Sequence, residues 1–172
     1  TNGGGAALFV YGASSNTIAS SNISNSNGDG IGVYLNSHYN TISASTITAT
    51  VAKAIYLFAS CSYNTITGSV LSNPGGQVLF LYDNANSNAV NGCTMSGAAP
   101  LYIHSSSSNM IAASYMSATN GYAAHIENSA NYNTIILSTM ISANTDSGAL
   151  YLYRVSSATI LNSYMQASTA AY

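Results

Sequence analysis

Residues Ser62 to Ser69 read S-Y-N-T-I-T-G-S, and the phrase returns as H-Y-N-T-I-S-A-S at His38 to Ser45 and as N-Y-N-T-I-I-L-S at Asn131 to Ser138. With the Asn of N-T-I as a marker, the series runs Asn16, Asn40, Asn64, Asn88, Asn109 and Asn133, and Ala158 takes the seventh place. The intervals are 24, 24, 24, 21, 24 and 25 residues. A period in the low twenties along the whole chain marks a solenoid, in which each unit buries its apolar face only by stacking on the next.

Three columns keep this register. Two positions after the marker stand Ile18, Ile42, Ile66, Val90, Ile111, Ile135 and Ile160. Five positions further come Ile23, Ile47, Leu71, Met95, Met116, Met140 and Met165. Between them lies a small polar column, Ser21, Ser45, Ser69, Cys93, Ser114, Ser138 and Ser163.

Ahead of each marker lies a run such as Ile31-Gly32-Val33-Tyr34-Leu35 or Ile55-Tyr56-Leu57-Phe58, whose β-branched and aromatic residues alternate with a strand's period of two. The runs are short, interrupted by Ser, Asn and Gly, and sustain no 3.6-residue period, so strands are favoured over helix. The reading is all-β: one parallel β-helix domain over residues 1–172, of about seven coils of 21–25 residues with three short strands each. At about 4.8 Å per coil it would be a rod of roughly 34 Å. Connections fall at Gly28-Asp29-Gly30, Asn73-Pro74-Gly75-Gly76, Gly97 to Pro100, Asn120-Gly121 and Asp146-Ser147-Gly148, and the 21-residue coil is expected to trim this connection.

The marker has two candidate physical roles. An amide that donates and accepts can bond to its equivalent one coil away, so Asn16, Asn40, Asn64, Asn88, Asn109 and Asn133 are expected to form a ladder. Asn also tolerates the left-handed backbone of a tight corner.

Composition excludes several function classes. Asp29, Lys53, Asp83, Glu127, Asp146 and Arg154 are the only charged residues in 172, and the net charge is −2. Two basic side chains cannot neutralise a phosphate backbone, so no nucleic-acid partner is expected. Apolar runs such as Val78 to Tyr82 are far too short for a transmembrane helix, and no membrane span is expected. The abundant Ile, Leu, Val and Tyr argue against disorder. The chain opens T-N-G-G-G with neither an initiator Met nor a signal-type segment, as a mature product or an excised piece would.

The repeat, with coils reading like S-x-Y-N-T-I-x-x-S-x-I, resembles the right-handed parallel β-helix repeat proteins. That is the pectate-lyase-like superfamily, and especially the NosD-type repeats of archaeal and bacterial surface proteins. The resemblance covers nearly the whole chain and implies the fold. It does not choose a function, because that architecture carries lyases, hydrolases, adhesins, tailspikes, surface-layer proteins and filament subunits.

Catalytic members of this group use acid clusters with a supporting Arg or Lys. Here Asp29, Asp83, Glu127 and Asp146 fall at different positions relative to the marker, with no matched pair on neighbouring coils. No catalytic residue is assigned, and no cofactor or metal is expected. His104, His125, Glu127 and Arg154 share the leading strands of coils five to seven; they are read as a surface pair between coils rather than a metal site. The copper delivery linked with NosD proteins does not carry over without a His-Met or Cys-His cluster. Cys61 and Cys93 fall at different corners of adjacent coils, which disfavours a disulfide. Ser105 to Ser108 lack a nucleophile elbow, Gly3-Gly4-Gly5 lacks a phosphate-loop Lys, and Asn22-Ile23-Ser24 is the one N-glycosylation sequon.

The remaining feature comes from alternation: if Ile55 and Leu57 point inward, Tyr56 and Phe58 point out. The expected outward rows are Leu8, Gly32, Tyr56, Phe80, Tyr102, His125, Tyr151 and Val10, Tyr34, Phe58, Tyr82, His104, Glu127, Tyr153. The binding residues assigned to this aromatic stripe are Tyr34, Tyr56, Phe58, Phe80, Tyr82, Tyr102, Tyr151 and Tyr153. Lateral stacking alone is one explanation, and a covering partner is the other. Tyr39, Tyr63 and Tyr132 are expected at the surface beside one another.

Low charge gives little repulsion between copies, and neither end carries a recognisable cap, so unpaired strand edges are expected there. The function expected is a non-catalytic structural subunit of an extracellular or cell-surface filament, sheath or layer, with copies of itself as partners. The alternative is a carbohydrate-binding or carbohydrate-modifying β-helix, with polysaccharide or surface glycans stacking on Tyr34, Phe58 and Tyr82. An ice-binding solenoid ranks third, since regular Thr-x-Thr rows are lacking apart from Thr46-Ile47-Thr48.

Overall fold

Alternating inward and outward side chains turn each leading run into a strand with one dry face, and the remaining segments follow the same rule at shorter length. A computed structural model describes residues 5–168, among which there is no helix. The first coil consists of β1 (Leu8–Tyr11), β2 (Thr17–Ala19) and β3 (Asn22–Asn25), and the second of β4 (Ile31–Tyr34), β5 (Thr41–Ser43) and β6 (Thr46–Ala49). The third begins with β7 (Ile55–Phe58) and β8 (Thr65–Thr67) and runs into β9 (Val70–Tyr82), which continues as the leading strand of the fourth. After β10 (Ala89–Asn91), β11 (Thr94–His104) joins the fourth coil to the fifth in the same way, followed by β12 (Met110–Ala112) and β13 (Tyr115–Ala118). The sixth contains β14 (Ala124–Glu127), β15 (Thr134–Ile136) and β16 (Thr139–Ser142), and the seventh β17 (Leu150–Tyr153), β18 (Thr159–Leu161) and β19 (Tyr164–Ala167).

Every strand pairs in parallel with its equivalent one coil away. The marker strands form a seven-stranded sheet in the order β18-β15-β12-β10-β8-β5-β2, and the other strands form a second sheet through the two long ones. The chain is thus a parallel β-solenoid of about seven turns. Its core is made of the expected columns: Ile42, Ile66, Val90, Ile111 and Ile135 on one wall, and Ile47, Leu71, Met95, Met116 and Met140 on another, all buried. Each contributes on the order of 1.5–3 kcal/mol by leaving water.

Three corners per coil make the turn possible, each passing through left-handed backbone. One falls on the residue just before the marker, Ser15, Tyr39, Tyr63, Ser87, Ser108, Tyr132 and Ser157, and another four residues after the marker, at Ser20, Ala44, Gly68, Gly92, Ala113, Leu137 and Asn162. This corrects one expectation: the marker Asn does not itself adopt the left-handed conformation, and its neighbour does. The third corner, after the leading strand, uses two left-handed residues in four coils, for example Ala59-Ser60, but a single one in coils one, five and seven, namely Gly12, Ser105 and Arg154.

That third corner explains two more departures. Leu8 pairs with Ile31 and Val10 with Val33, so both point inward, and Phe9 and Tyr11 take the outward places beside Gly32 and Tyr34. The expected rows were off by one in the first coil because its single-residue corner went unrecognised. In the 21-residue interval, the connection from Met95 to Leu101 is shorter than that from Leu71 to Leu79, with the register shifting between Gly97 and Ala99, and the corner at Ser105 removes the remaining residue.

Candidate functional site

The leading strands place one row of side chains over the next along the outer face. In the first row Tyr56 stacks on Phe80 at 5.2 Å between ring centroids with 8° between planes, Phe80 on Tyr102 at 4.7 Å and 8°, and Tyr102 on His125 at 4.6 Å. His125 then meets Tyr151 edge-on at 4.7 Å. In the second row Phe58 stacks on Tyr82 at 5.6 Å, Tyr82 lies against His104 at 4.8 Å, and Tyr153 ends the row. Most of these rings are only half-buried, and Tyr153 is exposed. Their faces are turned to one another along the rod, so what meets solvent is mainly ring edges.

Tyr34 leaves its own row. A methyl at Gly32 would fall 2.1 Å from its ring, so the glycine gives the space into which the ring folds, reaching Tyr56 edge-on at 5.6 Å. Its hydroxyl donates to Asp29 Oδ2 at 2.7 Å. Burial, followed by that hydrogen bond to a carboxylate, pushes the phenol well above its ordinary range. Burial and then the nearby Tyr82, Asp29 and Asp83 push Tyr56 up to about 12. The Lys53 ammonium lies over the Tyr56 ring at 4.8 Å and 5.9 Å from that of Phe80.

A polar centre interrupts the stripe at coils five and six. Tyr102 donates its hydroxyl to Glu127 Oε1, and His125 Nε2 lies 3.1 Å from Glu127 Oε2. His104 Nε2 is 3.9 Å from Glu127 Oε1 and accepts from Asn128 Nδ2 at 3.0 Å. Burial raises the Glu127 carboxyl, but hydrogen bonds from Tyr102 and His125 and the charges of His125 and His104 outweigh it and hold the group below its usual range. Burial and the Glu127 bond drive Tyr102 the other way, above the ordinary phenol range.

Of the four residues expected together here, the structure gathers His104, His125 and Glu127 but not Arg154. Arg154 sits on the corner past β17 with its guanidinium 4.9 Å from the Tyr153 ring centre. Tyr102, Asn128 and Lys53 were missed as partners; only the register Tyr102↔His125 could have pointed to the first. Among the described residues no group of three or more His, Cys, Asp or Glu is arranged to hold a metal ion.

The marker amides form a continuous series of bonds. From Asn16 to Asn133 each Nδ2 donates to the next Oδ1 at 3.0–3.1 Å, and each backbone N donates to the same oxygen at 2.8–2.9 Å. A second, hydroxyl series runs beside it, in which the backbone N of Ser21, Ser45, Cys93, Ser114 and Ser138 donates to the next coil's Ser Oγ at 3.1–3.2 Å. Cys93 occupies a place in that series, and Cys61 stands one coil after Ser37 at another corner; both thiols are free and buried. Tyr39 and Tyr63 stack at 5.2 Å on an exposed corner. Tyr132 stands apart from them, because Ser87 and Ser108 hold that position in coils four and five.

The family model described as a right handed beta helix region matches residues 1–115 of the chain. Comparison with curated proteins and with solved structures gave no match.

Proposed function

The chain belongs to the right handed beta helix family, and on that premise we propose that it is a non-catalytic structural subunit of an extracellular filament, sheath or surface layer. In this reading copies associate through the solenoid ends and through the aromatic strand face. The carrying observation is the ring stack itself. Tyr56, Phe80 and Tyr102 lie nearly parallel at 4.7–5.2 Å, so their faces are spent on one another. A sugar stacking on an aromatic needs a free face, whereas a second protein surface can pack against a ridge of ring edges. This weighs against glycan stacking on Phe58 and Tyr82, whose rings cover each other at 5.6 Å.

Two further observations support the reading. Core-column residues of the last coil are more open than their interior equivalents, with Met165 at 49% exposure against 0% for Met140, which leaves apolar surface on which, in this reading, a copy stacks. The described acids also fall into separate settings: Asp29 is bound to Tyr34, and Glu127 to Tyr102 and His125.

Negative-stain imaging of the protein at micromolar concentration tests the proposal, and polymers or ordered layers are expected. Monomers persisting over a wide concentration range would sink it. Glycan binding lost in Phe58→Ala and Tyr82→Ala, with assembly intact, would move the assignment to the carbohydrate alternative.

A further inference from the structure

Among the described residues two charged side chains lie on the first row of the aromatic face, whereas Arg154 lies over Tyr153 at the end of the second row. The Lys53 ammonium sits over Tyr56 and beside Phe80, at the level of coils three and four. The Glu127 carboxylate, although it belongs to the second row, leans into the first between Tyr102 and His125, at the level of coils five and six. Both therefore lie on the first row, at matching distances on either side of the boundary between coils four and five. Among the described residues Lys53 forms no salt bridge, and the ionic contacts of Glu127 are with His104 and His125 alone, beside its hydrogen bond from Tyr102.

We propose that the aromatic face pairs with the same face of a second copy running antiparallel, so that Lys53 of each copy meets Glu127 of the other. The proposal rests on the self-association reading above and specifies its lateral contact. A two-fold axis parallel to the strands, passing between Phe80 and Tyr102, exchanges coil three with six and four with five. It preserves position along the strand, so the first row faces the first row. Such an isologous contact uses each complementary pair twice. The reciprocal pairs select the antiparallel arrangement, because like-charge placement across an interface is penalised and opposite placement steers docking. A two-fold along the rod axis would instead set Lys53 against the far corner, near Asp83, which turns off the face after β9.

With that axis coils two to seven overlap, a face of about 29 Å by 13 Å, so two copies bury about 750 Å² in total. That is below the roughly 1,200 Å² of stable interfaces, so the contact is weak on its own and is read at high concentration.

Charge exchange between separate chains gives the test, by sedimentation velocity at roughly 200 µM, where weak contacts of this size are populated. Lys53→Glu and Glu127→Lys each weaken association by roughly tenfold when alone, since each sets like charges opposite one another. Mixed together they restore it, because the mixed dimer recovers both opposite-charge pairs. Recovery on mixing also shows that each variant is folded. Lys53→Glu associating as well as the parent overturns the antiparallel pairing, as does a mixture that stays apart. Rescue of Lys53→Glu by Asp83→Lys would replace it with the parallel arrangement. If the variants leave assembly unchanged, the lateral contact fails and the structural reading stands; if the parent chain is monomeric throughout, both fall.

Discussion

The Oδ1 atom of Asn64 accepts two hydrogen bonds from Asn40, one from its backbone N at 2.8 Å and one from its Nδ2 at 3.0 Å. One side-chain oxygen thus satisfies two donors of the neighbouring coil, both from a residue that is itself buried. Replacing Asn64 with Ala strands the Asn40 backbone N–H and one of the two Nδ2 hydrogens, the other still reaching the Ala13 carbonyl at 3.0 Å, at about 1–3 kcal/mol for a buried group left unpaired. The expected loss is about 3 kcal/mol in urea unfolding. Asn16→Ala should cost less than about 1 kcal/mol, because the exposed Asn16 Oδ1 accepts from no described residue and its removal strands no buried donor. Equal losses at the two sites would refute the ladder as an energetic unit.

The series stops at Asn133, since Ala158 brings no acceptor to the seventh coil. Ala158→Asn should extend it and raise stability by about 1 kcal/mol, the net value of an added hydrogen bond. A rise in melting temperature that disappears when Asn133 is also replaced is the expected pattern.

Gly97 tests the close approach of coils three and four. A Cβ there would lie 2.2 Å from the Asn73 carbonyl oxygen and 2.7 Å from Val78 Cγ2, so β9 and β11 would have to separate. Gly97→Ala is expected to cost more than about 2 kcal/mol, as overpacking against backbone does. Gly68 also has a positive φ, of 54°, but open space around it, and Ala44 and Ala113 occupy the equivalent corner. Gly68→Ala should therefore cost about 1 kcal/mol or less. Unfolding curves of the two variants compare them directly.

Stability should fall at both pH extremes for separate reasons. The folded-state value of Glu127 is depressed, so its contribution is complete above the unfolded carboxyl value near 4.3 and is lost as pH drops through the lower folded one. Phenols behave oppositely: Tyr56 is raised to about 12, so its contribution is intact below the unfolded value of about 10 and disappears as pH climbs from there to about 12. Melting temperatures across pH should show an acid slope that flattens in Glu127→Gln. They should also show an alkaline slope that lessens in Tyr56→Phe.

Burial drives both thiols above their usual range, with hydrogen bonds to backbone opposing it only in part. Cys61 and Cys93 should react slowly with a thiol reagent in the folded protein and fast in denaturant. Cys93→Ser should be tolerated within about 1 kcal/mol, because Ser69 and Ser114 on either side already hold that position. Fast native labelling of Cys93 would contradict its place in the hydroxyl series.

Column spacing makes the core legible in the sequence: Ile66, Leu71 and their equivalents are separated by fixed intervals, and stacking permits only one register between coils. The stripe was legible for the same reason in coils two to seven, but failed in the first. Whether a corner uses Gly12 alone or a pair such as Ala59-Ser60 depends on backbone angles that the residue types do not declare. Likewise, nothing in the spacing shows that Tyr34 crosses into the first row, because that depends on the empty space at Gly32.

Periodicity by itself determined the solenoid, the inward columns and the marker series, since each is a property of one coil repeated. The tertiary structure alone decided which side chains from different coils meet over the outer face. It placed the Glu127 carboxylate with Tyr102 and His125, sent Arg154 to Tyr153, and turned the ring faces toward one another. The physical reason is that strand pairing fixes Cα positions one coil apart, whereas the direction of a long side chain follows from the local balance of packing, hydrogen bonds and charge.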